Sequence, residues 1–435
     1  MSAAPRKVLY ITYYWPPSGG AGVQRSLKMA RYLPEYGVEP IVLTVDAAAA
    51  TYPVEDPSLS SEVPPNLRVI RTGSFEPLQV LSRFVGGKNK IPYGGFANKD
   101  KEKWTQKLLR FVRGNFFLPD ARKGWVKYAL REAARLIREE RIDTIVVSSP
   151  PHSSQLIGLA LKRSFPHVRW IADLRDPWTD IYYYPDLLHT GLAKAVDRKL
   201  ERKVLEQCDH ALVVSPDIRR MFAAKSERVK AEKIHVIPNG FDPGDFDPAI
   251  APPQDVFRIT YVGTMAESYR PGAFFQSVAA LRKQGTSLPL RLRFVGSTRA
   301  ALEPILQAYG LQDIAEFIGH VPHREATRYM QESNALLLVI PDVPKANGIL
   351  TGKLFEYLGA ARPLIALGPV DGDAATILKE TAAGRMFGRE ETDLLSVHIH
   401  SLLSKPIAQA DKLTVDLAYS RKTLAGRLAQ IILAS

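Results

Sequence analysis

Residues 7–45 read KVLYITYYWPPSGGAGVQRSLKMARYLPEYGVEPIVLTV, and four local signals in that run set the fold class. Residues 7–12 are a short apolar run of strand length. Residues 15–22 form a Pro/Gly loop, residues 23–36 carry a helical pattern, and residues 39–45 are a second apolar strand. Strand, glycine-rich turn, helix and strand make a βαβ unit at the edge of a parallel sheet. The alternation returns at residues 143–148 (DTIVVS), 169–173 (RWIAD) and 210–215 (HALVVS). Strands that are apolar throughout belong to sheets covered on both faces.

After Ile237-Pro238-Asn239-Gly240, residues 241–254 hold Pro243, Pro248, Pro252 and Pro253, a composition that reads as a linker. The rhythm then restarts at residues 257–263, 290–296, 315–319, 335–340 and 363–367. At 435 residues the chain is too long for one core. The expected architecture is therefore α/β, with two Rossmann-like domains. The N-terminal one spans 1–240 and the C-terminal one 255–415, with a terminal helix at 416–435 packing back on the N-terminal domain.

Composition is that of an ordinary globular protein, with 46% apolar and 24% charged residues. The single cysteine, Cys208, excludes an internal disulfide and a cysteine-rich metal site, and fits a reducing, cytoplasmic compartment. The opening MSAAPRKVLYITYYWPP does not read as a signal peptide, because its apolar run is cut off by Pro16-Pro17. No apolar stretch approaches the roughly 20 residues of a spanning helix.

The formal charge is +13, and residues 75–141 hold 16 Lys and Arg against 7 Asp and Glu. Localised positive charge points to a phosphate-bearing or anionic partner. Within a basic insert at 75–124, Trp104, Leu108, Phe111 and Val112 fall on one helical face, with Lys103, Lys107, Arg110 and Arg113 off it. Such a helix lies in an anionic membrane interface, or it packs its stripe on the domain core.

Three loops carry the candidate chemistry. Ser18-Gly19-Gly20-Ala21-Gly22 follows a strand and opens a helix, a place where open amides attract anions, and Arg25 one turn on adds a guanidinium. Its spacing is not the dinucleotide fingerprint. Gly263-Thr264 ends the first strand of the C-terminal half, with Arg270 six residues on and Gly296 closing the next strand. The most informative is Gly348-Ile349-Leu350-Thr351-Gly352-Lys353-Leu354-Phe355-Glu356, where open amides at a helix start, Lys353 and Glu356 suit a phosphate and sugar hydroxyls.

Six motifs occur in order: SGGAGVQR, SSPPHSS (148–154), ADLRDPW (172–178), VIPNGFD (236–242), ITYVGT (259–264) and GKLFEYLGAARPLIAL (352–367). Together they resemble the large family-four retaining glycosyltransferases of GT-B fold, in the branch devoted to surface polysaccharides. The likeness covers nearly the whole chain, least so at 74–124. It implies two Rossmann-like domains facing across a cleft, a nucleotide-diphosphate sugar as donor, and a lipid-linked or polysaccharide acceptor at the inner face of the cytoplasmic membrane. By that resemblance Glu356 holds the ribose, and Thr351, Gly352 and Lys353 meet the diphosphate with Gly263, Thr264 and Arg270. Gly19 and Gly20 face the donor phosphates and acceptor, His152 lies near the transferred sugar, and Asp173, Arg175 and Asp176 line the cleft. Two positions depart from the family pattern. Gly348 stands where many members carry a glutamate, and Thr264 where an arginine is frequent.

Arg270, Lys353 and helix amides can stabilise a departing diphosphate, so no metal and no cofactor is expected. His152, Asp173 and Glu356 are the candidate catalytic residues, His152 and Asp173 by orienting sugar or acceptor. The alternatives are a nucleotide-sugar epimerase of the same fold, which lacks an obvious acid–base set here, and a nucleic-acid-binding protein, for which only the charge speaks.

Overall fold

In a computed structural model of the chain, described over residues 4–76, 104–285, 288–404 and 417–434, the protein divides into two compact units. One comprises Met1–Pro238 with Arg421–Ser435, the other Asn239–Ser420.

The first unit is built on seven parallel strands: β1 (Arg6–Thr12), β2 (Val38–Val45), β3 (Arg68–Thr72), β4 (Thr144–Ser149), β5 (Arg169–Leu174), β6 (His210–Val213) and β7 (Ile234–Val236). Their order is β3-β2-β1-β4-β5-β6-β7, so the chain runs outward from β1 and then returns to begin again at β4. Alternate residues of the strands feed two cores. Leu9, Ile11, Ile145, Val147, Trp170 and Ala172 join one with Ala133, Leu136 and Leu161, from the helices Val126–Glu139 and Gln155–Ser164. Val8, Tyr10, Val146 and Ile171 join the other, with Leu27 of the helix Ala21–Tyr32. Leu424, Leu428 and Ile432 of the terminal helix Arg421–Leu433 complete it. That helix is thus part of the first unit's core, and the Arg169 side chain donates to its last carbonyls, at 2.7 Å to Ile431 and 3.2 Å to Ile432.

The second unit has six parallel strands: β8 (Phe257–Val262), β9 (Leu290–Val295), β10 (Ala315–Ile318), β11 (Ala335–Val339), β12 (Leu364–Leu367) and β13 (Gly384–Phe387), in the order β10-β9-β8-β11-β12-β13. Its switch of direction falls between β8 and β11. In open α/β sheets, ligands bind beyond the carboxyl ends of the strands at such a point.

One expectation meets a different arrangement. Residues 241–254 are no free linker: Phe241 is buried, its amide bonds the Tyr419 carbonyl at 3.2 Å, and Phe246 packs where a Cβ on Gly359 would stand 2.4 Å from its ring. Two aromatic anchors fasten this proline-rich strap to the second unit. The helix Trp104–Phe116 forms, and Phe111 of its apolar stripe is exposed, as is Phe116. Contact is made at Gly114, where a Cβ would lie 2.1 Å from the Leu187 carbonyl oxygen, and at Asn115, bonded to Leu188 and Thr190. Lys103 and residues 77–102 of the expected insert lie outside the described residues.

Candidate functional site

The second unit brings most of its candidate residues together at the switch point. β8 runs into Gly263, whose φ of 124° suits glycine alone, and a Cβ there would lie 2.3 Å from Lys353 Cε. Gly296 follows β9 with φ 102°, and a Cβ there would stand 2.6 Å from the Gly263 carbonyl oxygen. The absence of both side chains lets the two strand ends and the lysine approach closely.

Lys353 lies in the first turn of the helix Gly352–Ala360. Its ammonium donates to the Tyr261 hydroxyl at 2.7 Å and the Thr264 carbonyl at 3.3 Å. It sits 4.8 Å from the Tyr261 ring centre and 5.2 Å from that of Tyr269. Burial pushes its pKa down from 10.5 to about 8, with Glu356 acting the other way. Thr351 occupies the N-cap but its hydroxyl caps nothing and is buried without a hydrogen bond. The first-turn amides therefore have no side-chain acceptor. The Glu356 carboxylate, one turn on and partly exposed, makes no hydrogen bond or ion pair among the described residues. Tyr357 fixes the helix to the strand by accepting from the Val262 amide at 2.8 Å.

Arg270 is arranged differently. It adopts a left-handed backbone conformation, its side chain is 71% exposed, and it pairs with Asp342 at 3.1 Å. Arg389 approaches the same carboxylate at 3.9 Å and donates to the Ile340 carbonyl. In this structure the cation packed against the glycine turn is Lys353, and Arg270 is engaged by Asp342. Gly348 is buried at the end of a short 3-10 segment, Ala346–Gly348, with no carboxylate of its own.

In the first unit the corresponding switch point lies beyond β1 and β4. Gly20, φ 96°, caps the helix Ala21–Tyr32 and has open space around it, while Gly19 packs on Val54 and Asp56. A Cβ on Gly22 would lie 2.5 Å from Arg175 Nη1, so the guanidinium over this glycine loop belongs to Arg175, itself held by the carbonyls of Ser149 (2.9 Å) and Pro150 (3.2 Å).

Arg25 and Asp173, expected to serve as a phosphate donor and a catalytic carboxylate, are one buried ion pair. Arg25 donates to both Asp173 oxygens, at 3.2 and 3.0 Å, and to the Pro238 carbonyl at 2.8 Å. Ser148 adds a fourth bond, to Asp173 at 3.0 Å. With its side chain only 4% exposed, Arg25 ties the first helix to β5 and the end of the unit; it is committed within the chain.

His152 stacks on Trp178, ring centres 4.7 Å apart and 12° from parallel, with its Nδ1 buried and unbonded. Burial, then the Arg175 charge, lowers its pKa to about 4 against the pull of Asp120, so the ring is neutral near pH 7. The loop it stands on is held by Asp120, which accepts from the Ser153 amide at 2.8 Å and hydroxyl at 2.7 Å. Burial raises the pKa of Asp176.

Tyr261, Tyr269, Asp120 and Trp178 were not singled out from the sequence. Tyr261 and Tyr269 flank the Gly263 turn and Trp178 closes the ADLRDPW motif, whereas Asp120 left no local signal. Two pairs of carboxylates have the Asp-x-Asp spacing that can hold a metal ion, Asp245/Asp247 and Asp371/Asp373. Asp245 is paired with His323 at 3.2 Å and Asp247 accepts from the Ala249 amide at 2.9 Å. The expectation of a metal-free course thus rests on the cations alone.

Comparison with known proteins adds the following. Residues 93–245 match the family described as Glycosyltransferase Family 4. A stretch of 139 residues is 26% identical to the amylovoran biosynthesis glycosyltransferase AmsK of Erwinia amylovora, covering 31% of this chain. The matched stretch spans about a third of the length of the curated relatives. Among solved structures, sucrose-phosphate synthase of Thermosynechococcus elongatus superposes with a TM-score of 0.62 at 15% identity, over 98% of both chains. Anabaena HepE, solved with UDP and glucose, gives 0.60 at 11% identity, covering 99% of this chain and 100% of that one. A proposed UDP-N-acetylglucosamine 2-epimerase of Listeria monocytogenes gives 0.53 at 13% identity, covering 99% of this chain and 96% of that one. The fold is the two-unit Rossmann-like arrangement known as GT-B.

Proposed function

We propose that this GT-B chain is a glycosyltransferase, moving a sugar from a nucleoside-diphosphate donor to a lipid-linked or polysaccharide acceptor in the building of a cell-surface glycan. The observation that carries the reading is the group at the end of β8. There the Lys353 ammonium packs against the Gly263 turn, the amides at the start of its helix have no side-chain acceptor, and the Glu356 carboxylate one turn on is unengaged. Charge developing on a departing diphosphate is met by Lys353 and the amides, without protein reorganisation. Glu356 is suited to accept from ribose hydroxyls. The reading is supported by the family match at 93–245 and by the biosynthetic role named for AmsK.

In the first unit the open turn at Gly20, with Arg175 over the loop and neutral His152 nearby, supplies donors for an acceptor, while the Gly19 amide is spent on the Val54 carbonyl at 2.9 Å. Arg25 and Asp173 are assigned a positioning role. Attachment at an anionic membrane surface through Lys107, Arg110 and Arg113 is part of the proposal, and among the described residues no helix is long and apolar enough to cross a membrane.

The epimerase reading keeps one observation in its favour, the fold likeness to the Listeria protein. A donor screen separates the two. UDP, GDP or ADP at millimolar concentration should raise the melting temperature, and one nucleotide sugar should be consumed only when an acceptor is present. No stabilisation by any nucleoside diphosphate would end both readings, and acceptor-independent conversion of the sugar would favour epimerisation. Flotation with anionic liposomes tests the membrane contact, and binding that survives loss of the Lys107, Arg110 and Arg113 charges would remove that helix from it.

A further inference from the structure

A second polar pocket lies in the first unit, at the β6–β7 edge of the sheet, where the terminal helix Arg421–Leu433 passes. Its volume is about 480 Å³, within the range of small-molecule sites. Six polar side chains line it: His210, Arg219, Glu232, His235, Arg427 and Gln430. Ile234 and Ile431 give it an apolar floor.

The polar side chains are unevenly charged. His210 Nδ1 and His235 Nε2 lie 3.0 Å apart, so one imidazole donates to the other. Arg169, whose guanidinium caps the terminal helix, comes within 3.4 Å of His210 Nε2. Arg219 donates to the Ala231 carbonyl at 3.2 Å. Arg427 makes no hydrogen bond or ion pair among the described residues. Against these cations the lining offers one carboxylate, Glu232. The neighbouring Asp209 is engaged by Lys162 at 2.8 Å, and Lys233 is spent on the carbonyls of Glu206 and Cys208.

The imidazoles register the imbalance. Burial lowers the pKa of both, and positive neighbours lower it further: His235 and Arg169 for His210, Arg219 for His235.

We infer that this pocket binds a small phosphate-bearing molecule, its phosphate between Arg219 and Arg427 and its body on the apolar floor. Two guanidiniums from different elements match a dianion with several acceptor oxygens, and the imidazoles can donate the remaining bonds. The site is independent of the proposed donor site, which belongs to the other unit. A bound phosphate would also link the terminal helix, through Arg427, to the helix Pro216–Ala223, through Arg219.

The test uses the full chain in about 0.15 M salt, where exposed charges are screened beyond ~8 Å. Inorganic phosphate and a hexose 6-phosphate are titrated while the histidine ring protons are followed by NMR, with His210→Gln and His235→Gln providing the assignments. The expected result is a saturable shift of both rings at millimolar ligand or below. The double variant Arg219→Ala, Arg427→Ala should weaken binding at least tenfold. Both arginines are exposed, so their loss leaves the core untouched. Lys353→Met should leave the affinity unchanged. Absence of a saturable shift, full binding by the double variant, or loss of the shift in Lys353→Met would each overturn the inference, the last by moving the phosphate to the donor site.

Discussion

Replacing Lys353 by Met should make the protein more stable while abolishing its response to nucleotide. Burial lowers the lysine pKa from 10.5 to about 8, and at about 1.4 kcal/mol per unit this amounts to about 3 kcal/mol held against the ammonium. Contact with the Tyr261 and Tyr269 rings returns roughly 0.5–2 kcal/mol, so a net penalty on the order of 1–3 kcal/mol remains. Methionine fills similar space without a charge. It orphans no acceptor, because the Tyr261 hydroxyl still donates to the Thr264 carbonyl at 2.7 Å. The sign with pH follows from the folded pKa lying below the unfolded one. Between about pH 8 and 10.5 the unfolded chain holds a proton the folded chain lacks, so stability rises with pH across that window. Below about pH 8 both states are protonated and the whole penalty is present. Urea melts of wild type and Lys353→Met at pH 7 and 9.5 measure this, with UDP, GDP and ADP added in a parallel series. The variant should unfold at higher urea at pH 7 and show a flatter stability profile from pH 8 upward. With Arg219→Ala and Arg427→Ala added to empty the second phosphate pocket from both proteins, no nucleoside diphosphate should stabilise the Lys353→Met variant. A variant less stable than wild type by more than about 1 kcal/mol, or one that still responds to nucleotide, would refute the reasoning.

Three further outcomes are expected. Glu356→Ala should leave the melt within about 0.5 kcal/mol of wild type but weaken nucleotide binding by roughly 1.5–3 kcal/mol, measured by calorimetry, since a charged acceptor is lost. Asp173→Asn strands the Arg25 guanidinium in the core and should cost about 3–5 kcal/mol in denaturant melts, whereas a melt like wild type would show that the pair is not needed. Gly158→Ala places a methyl 2.2 Å from the Trp170 indole and should cost about 1–3 kcal/mol, with a shift in tryptophan fluorescence reporting the displaced ring.

The central strands could be read from the sequence because parallel strands buried on both faces must be apolar throughout, as at residues 7–12, 144–149 and 335–339. Strands β3, β7 and β13 escaped. They lie at sheet edges, number three to five residues, and Arg68–Thr72 has no fully buried position. The Lys353–Glu356 constellation was legible for a local reason: a Gly-Lys step at a helix start and a carboxylate one turn later are set by chain geometry alone. The Arg25–Asp173 pair was not, since its partners stand 148 positions apart and only the packed sheet brings them within reach. The same holds for Asp120, which steadies the His152 loop from 33 residues away. The engagement of Arg270 by Asp342 depends on a left-handed turn that nothing in its neighbours announces.

The terminal helix gives the first unit an awkward schedule during synthesis. Domains made on the ribosome usually close in the order they emerge. Here residues 1–238 emerge first, yet the face formed by Val8, Leu27 and Leu33 waits for Leu424, Leu428 and Ile432. The second unit, Asn239–Ser420, must be translated in between and can fold before its predecessor is finished. At ~5–20 residues per second, that leaves an apolar surface uncovered for roughly 10–40 seconds in every nascent chain.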